Sequence, residues 1–384
     1  MRMAIIVNMV TPYTKPLFAR LAERDECELL VVSETPMERD KLWQTETEFP
    51  FEHLVLDAWT IDLAWLAVGS GFKTRFDTYM YVPKRPLAGL RRFSPDVVVV
   101  GGGGIWSSPA NIAALAARGR RGWAIVPWWG SFTREKPTWA RRLAEPWVKM
   151  FMRSSDAWLA QGSRHARDVV ALGADPARTV IATMTGLAPE PPVQPHPPAT
   201  GEEFRYLFVG RLIERKGIEV LLEAFRQVRG GELRIVGHGP LRGLVESAAA
   251  QDPRIRVLGY RDGAALTDAF REAHLLILPS LYEPWGLVVN EALAHGLAVI
   301  VTDQVGAADD LIDSGTNGYV VRAGSADALA GAMQAAAGWP REQWERVARR
   351  SSEVLATCSL DQAVEGFIRG CSLAVEHRKA QTSG

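Results

Sequence analysis

Two glutamates stand eight positions apart in SLYEPWGLVVNEALAHG (280–296), directly after the apolar run HLLILP. Pro284 stops a strand from continuing, Gly286 allows a tight turn, and LVVNEALAHG reads as a helix ended by Gly296. The amides of Gly286, Leu287 and Val288 then have no partner within the helix, and the positive end of its dipole favours an anion beside them. A phosphate held there would lie between the two carboxylates. Glu283, in the loop, can meet sugar hydroxyls; Glu291, on the inward helix face, can accept hydrogen bonds from a ribose diol. VGR (209–211) closes an earlier strand, where Gly210 permits close backbone approach and Arg211 and Lys216 set two cations beside a helix that opens at Gly217. That combination suits a pyrophosphate. Gly237, at the end of LRIVG, repeats the logic, and Tyr260 after the next strand could pack on a nucleobase. Each of these residues also has a structural reading: a glycine turn with surface cations, an N-capping or surface glutamate, an ordinary core tyrosine.

The elements that must position them alternate regularly. In the first half, apolar strands recur at 4–10, 29–33, 53–57, 96–101, 123–129 and 156–162, with helical stretches at 16–23, 111–117 and 164–172. In the second, strands at 205–210, 233–237, 255–259, 274–280, 297–303 and 317–321 alternate with helices at 217–228, 241–250, 266–272 and 286–295. Near-continuous Val/Ile/Leu runs mean strands buried on both faces, and helical crossovers are what parallel strands require. The predicted class is therefore α/β with two Rossmann-like, doubly wound domains, each binding ligands outside the carboxyl ends of its strands. Six prolines in PEPPVQPHPP (189–198) mark an extended connector. The expected division is a first domain at 1–188, a linker at 189–202, a second domain at 203–365, and a terminal helix at 366–384 able to return to the first.

Length and composition agree. At about 150 residues per domain, 384 residues imply two domains, and 47% hydrophobic with 23% charged residues excludes disorder and coiled coil. Cys27, Cys358 and Cys371 are too few and scattered for a disulfide framework or thiolate zinc site, and the seven histidines show no ligand spacing, so no metal is expected. Serine-nucleophile, Walker-loop and zinc-protease motifs are absent from the sequence. The first strand is too short and too soon broken for a signal peptide, and no run reaches the ~20 apolar residues of a membrane span, so cytoplasmic residence is expected. Net charge is zero, yet residues 73–153 hold 15 basic against 4 acidic side chains, interleaved with tryptophans. This reads either as a solvated helix face over a tryptophan core or as a surface for an anionic acceptor or the inner face of a membrane.

Glu283 and Glu291 within EPWGLVVNEALAHGLAVIVTD resemble the Glu-x7-Glu signature of the retaining glycosyltransferases of family 4, and FVGRLIERKGIEVLLEAF (208–225), LRIVGHGP (233–240), RVLGY (256–260) and SGTNGYVV (314–321) follow in the same order. The resemblance covers roughly 204–370. It implies the GT-B fold, with two domains facing across a cleft, and retaining, metal-independent transfer from a nucleoside-diphosphate sugar with no cofactor. It implies further that Arg211 and Lys216 hold the donor's phosphates together with the backbone at Gly286, Leu287 and Val288, that Glu283 faces the donor sugar and that Glu291 faces the ribose. The first half departs from the family pattern. Its first loop, NMVTPYTKPLF (8–18), carries Tyr13 in place of paired glycines, and VPWWGSF (126–132) offers Trp129, Gly130 and Ser131 where relatives often carry a histidine. With Gly103 in the run 101–104, Tyr13, Trp129 and Ser131 are the acceptor-side candidates. The implied function is transfer to a saccharide or lipid-linked saccharide in bacterial surface-glycan synthesis. The alternatives are a sugar-nucleotide epimerase or hydrolase, a transferase acting on a small natural product, and a nucleotide-sugar binding module. Donor base, donor sugar and linkage are not encoded in these motifs, because base contacts are largely backbone and acceptor loops vary freely.

Overall fold

A computed structural model describes residues 1–35, 48–62, 79–101, 109–130, 139–186, 193, 197–199 and 201–382. Two compact units result, 1–185 with 358–384, and 186–357. The Pro-rich connector lies largely outside the described residues.

The first unit is built on β1 (Arg2–Val7), β2 (Glu28–Ser33), β3 (Glu52–Val55), β6 (Val97–Val100), β7 (Ala124–Trp129), β8 (Trp158–Ala160) and β9 (Thr179–Ile181), with a separate antiparallel pair, β4 (Ala58–Asp62) and β5 (Tyr79–Pro83). The seven-stranded sheet is parallel, in the order β3-β2-β1-β6-β7-β8-β9. Side chains alternate faces along each strand. Met3, Ile5, Val97 and Val99 enter one core, and Ala4, Ile6, Val98 and Val100 the other. Helices α1 (Lys15–Ala22), α2 (Ala88–Phe93), α3 (Pro109–Arg121), α4 (Trp139–Arg153) and α5 (Ser163–Ala171) connect the strands.

In the second unit, β10 (Arg205–Val209), β11 (Glu232–Val236), β12 (Ile255–Gly259), β13 (Leu275–Leu278), β14 (Ala298–Thr302) and β15 (Gly318–Val321) form a parallel sheet in the order β12-β11-β10-β13-β14-β15. The crossovers are α6 (Ile218–Gln227), α7 (Arg242–Gln251), α8 (Gly263–Arg271), α9 (Leu287–Ala294) and the short α10 (Ala308–Leu311), followed by α11 (Ala326–Ala337) and α12 (Arg341–Thr357). Phe208, Ile235, Ile277 and Ile300 fill one core with Leu221 and Phe225 of α6, each fully buried. Removing such a side chain from water stabilises a fold by about 1.5–3 kcal/mol. Strand order reverses between β10 and β13, and that reversal is where a doubly wound sheet opens a crevice for a ligand.

Three expectations need correction. The first strand ends at Val7 and not at residue 10; Met9 and Val10 are apolar because the loop tucks them into the interior, 4% and 8% exposed. The terminal helix expected at 366–384 starts earlier, as α13 (Leu360–Thr382), directly after α12. The division between units falls between these two helices, at 357/358, and not at 365/366. On α13, Ala363, Phe367, Cys371 and Ala374 lie on one face and join the first unit's core, where Phe367 meets Trp128 edge to face at 4.9 Å.

Candidate functional site

Two strand ends of the second unit are drawn together by glycines that leave no room for a side chain. A Cβ on Gly217, the left-handed residue before α6, would stand 2.0 Å from the carbonyl oxygen of Pro279 just after β13. One on Gly237, at φ +155°, would stand 1.9 Å from the carbonyl oxygen of Gly210. These approaches bring the turn Glu214–Lys216 against the loop that follows β13, and the Leu281 amide donates to the Arg215 carbonyl at 2.8 Å.

The Glu283 backbone is pinned on both sides. Its amide donates to Gln304 and its carbonyl accepts from Gly306, both at 2.9 Å. The side chain, 13% exposed, pairs with the Lys216 ammonium, itself 13% exposed, and the Ser280 hydroxyl lies 3.5 Å from the same carboxylate oxygen. Burial works against a charge here, but the Lys216 ammonium, with Arg215 and Arg211 farther off, prevails and holds the Glu283 carboxyl below the usual carboxylate range.

Gly286, at φ +97°, turns the chain into α9, and the first amide taken up by a backbone carbonyl is Val289, at 2.8 Å from Gly286. Among the described residues the amides of Gly286, Leu287 and Val288 have no backbone acceptor. The buried Trp285 indole donates to Asn290 Oδ1 at 3.0 Å, locking the loop onto the helix it starts. Glu291 is 4% exposed on the inward face, packed so closely on Gly186 that a Cβ there would come within 2.8 Å of its Cγ. What the arrangement offers is an anion cradle: amides at a helix start, with Arg211, Arg215 and Lys216 nearby and a carboxylate occupying the lysine.

Of the residues expected here, Gly210, Arg211, Lys216, Gly237, Glu283, Pro284, Gly286, Leu287, Val288 and Glu291 all sit on or beside the ends of β10, β11 and β13 and the start of α9. Tyr260 follows β12 and is 43% exposed, its ring open to a partner. Sequence reasoning passed over Arg215, Ser280 and Gly186. Arg215 stands in the ERKG run, and Ser280 is the polar residue after the strand; the signal for Gly186, a glycine distant in sequence, exists only in three dimensions. In the first unit Tyr13 lies in a turn closed by reciprocal Thr11–Thr14 hydrogen bonds, and Trp129 is buried, 5% exposed, in the core. Gly103 and Ser131 lie outside the described residues. Of the basic 73–153 region, Trp123 and Trp128 are also core residues, and Lys149 pairs with Glu145 at 2.7 Å. Among the described residues no cluster of His, Cys, Asp or Glu could hold a metal, and no helix is long and apolar enough to cross a membrane.

The fold defines the class: the chain has the GT-B fold of glycosyltransferases. It superposes on the lipopolysaccharide outer core galactosyltransferase WaaB with a TM-score of 0.70 at 18% identity, over 96% of this chain and 99% of that one. Anabaena HepE in complex with UDP gives 0.70 at 14% identity, over 97% and 100%. Residues 203–337 then match the family described as Glycosyl transferases group 1, so a likeness to glycosyltransferases holds over this stretch. Curated relatives include the uncharacterized glycosyltransferase MJ1607 of Methanocaldococcus jannaschii, 34% identical over 34% of each chain, and the amylovoran biosynthesis glycosyltransferase AmsK of Erwinia amylovora, 30% identical over 42% of each. The matched stretch thus spans only 34% and 42% of those relatives' own length.

Proposed function

We propose that the chain is a retaining, metal-independent glycosyltransferase of family 4 that moves a sugar from a nucleoside-diphosphate sugar to a saccharide or lipid-linked saccharide acceptor in bacterial surface-glycan synthesis. The observation that carries this reading is the Lys216–Glu283 pair set beside the open amides of α9 at the point where strand order reverses. The relatives support it: AmsK acts in amylovoran biosynthesis, WaaB is a galactosyltransferase, and HepE is seen with UDP and glucose.

The donor's diphosphate displaces the Glu283 carboxylate from Lys216 and settles on Arg211 and the 286–288 amides, leaving Glu283 beside the donor sugar. The bond from the sugar's anomeric carbon to the diphosphate breaks, its electron pair passing to the phosphate oxygen. The acceptor hydroxyl forms the new bond on the same face and gives its proton to that departing oxygen. Fixed donors around a leaving group that gains charge are worth about 3–4 kcal/mol apiece in comparable sites. Cations and amides already in place supply that stabilisation without a divalent ion, and the Glu291 carboxylate accepts from the ribose diol.

Incubation with radiolabelled sugar nucleotides and a saccharide-acceptor extract tests the proposal. Label passes to the extract, survives chelator, and sits in the donor's anomeric configuration. Donor consumption without labelled extract would assign an epimerase or hydrolase, and binding without turnover a binding module.

A further inference from the structure

A charged cavity lies in the first unit, of about 420 Å³, within the ordinary size range of small-molecule pockets. Asp96 and Trp123, the residues just before β6 and β7, stand in its wall. It therefore opens at the amino ends of the strands, whereas the doubly wound fold binds substrates at their carboxyl ends. The end of α2 supplies Arg91, the end of α3 Arg121, and the end of α13 Arg378 and Lys379.

Cations at helix carboxyl ends have an ordinary role in offsetting the dipole, but that role is too small to absorb these four. Each helix end carries at most about half a negative charge. Asp96 is the one acidic side chain in the lining, and its carboxylate already accepts the Arg2 amide at 2.7 Å. The cavity is left net positive. Among the described residues the Arg91 and Arg121 side chains make no ion pair or hydrogen bond, and the Arg378 Nε is buried without a partner. The Arg91 and Arg121 guanidiniums can each give paired donors, while Arg378 donates to Gln381 Oε1 at 3.5 Å and the Arg118 carbonyl at 3.3 Å and adds its charge and Nε; around one space they match the several oxygens of a phosphate better than a single carboxylate. Leu90, Trp123 and Val375 add apolar wall, which suits a phosphate carried on carbon.

We infer that this cavity binds a phosphate ester, independently of the donor site in the second unit. Soluble phosphorylated metabolites and phospholipid headgroups share that chemistry, and the test separates them. The full-length chain is titrated calorimetrically with glycerol 1-phosphate and, separately, sedimented with phosphatidylglycerol vesicles against phosphatidylcholine controls. Each experiment is repeated with Arg91→Ala/Arg121→Ala, exposed positions whose replacement leaves the melting temperature unchanged, and with Lys216→Ala. Binding of the soluble ester that weakens at least tenfold in the double variant and is unaltered by Lys216→Ala assigns a free phosphate ester. Sedimentation with the anionic vesicles that falls at least fivefold in the double variant, with no heat from the soluble ester, assigns a lipid headgroup. Binding in neither experiment, or binding indifferent to the double variant, overturns the inference.

Discussion

The carboxyl ends of the two sheets are built under different constraints. In the second unit Gly217 and Gly237 press against backbone carbonyl oxygens, at 2.0 and 1.9 Å for a hypothetical Cβ, so neither neighbour can yield. In the first unit a Cβ on Gly101, after β6, would come no nearer than 3.3 Å to the Ile6 carbonyl oxygen, and Gly130, after β7, faces the end of the Gln161 side chain, which can swing away. Backbone packed on backbone fixes residue type, and so leaves a readable motif. Backbone packed on a movable side chain leaves residue choice open, which suits loops free to diversify.

Alanine at the two kinds of glycine would break or uphold that contrast most forcefully. Gly237→Ala combines a disfavoured φ with a backbone collision and is expected to cost about 4 kcal/mol, a fall in melting temperature of roughly 10 °C by calorimetry. Gly130→Ala is expected to cost about 1 kcal/mol or less, and equal losses would erase the distinction. Next in size, Lys216→Ala should lower turnover about 100-fold in the radiolabelled transfer assay, since it removes a fixed cation from the leaving group. Smaller again is Glu291→Gln, expected to weaken a nucleoside diphosphate about tenfold while leaving inorganic pyrophosphate unaffected; equal effects on both would remove the ribose contact.

The last prediction concerns pH. The paired Glu283 carboxyl is held below its ordinary value of about 4.3, so the pair stabilises the fold above that pH and loses its contribution as the pH falls through the lowered value. Glu283→Gln removes this dependence. Its melting temperature should therefore fall less steeply below pH 4 than that of the unaltered chain, and parallel curves would show that the pair does not titrate with folding.

Much of this was legible beforehand, and unevenly so. Strands such as Val97–Val100 and Ala298–Thr302 were marked to within a residue because burial on both faces demands unbroken apolar, Val- and Ile-rich runs. The pair β4–β5 was missed: β4, with Trp59 60% exposed beside Thr60 and ending in Asp62, has no continuous apolar run, and β5 is four apolar residues closed by Pro83, too short to stand out. Three-residue β9 is too short for periodicity to show, and α11, an alanine-rich helix, has little of the side-chain contrast from which a helical face is read. At the site, Glu283, Glu291 and Gly286 declared themselves by spacing. The Lys216–Glu283 pair did not, since 67 residues separate the partners and only the backbone approach at Gly217 unites them.

A crystal of the chain soaked with a nucleoside diphosphate tests the central claim most directly. The account predicts both phosphates at the start of α9, within hydrogen-bonding distance of the 286–288 amides and the Lys216 ammonium, with the Glu283 carboxylate released from the lysine. Phosphates bound elsewhere while Lys216 and Glu283 stay paired would contradict it.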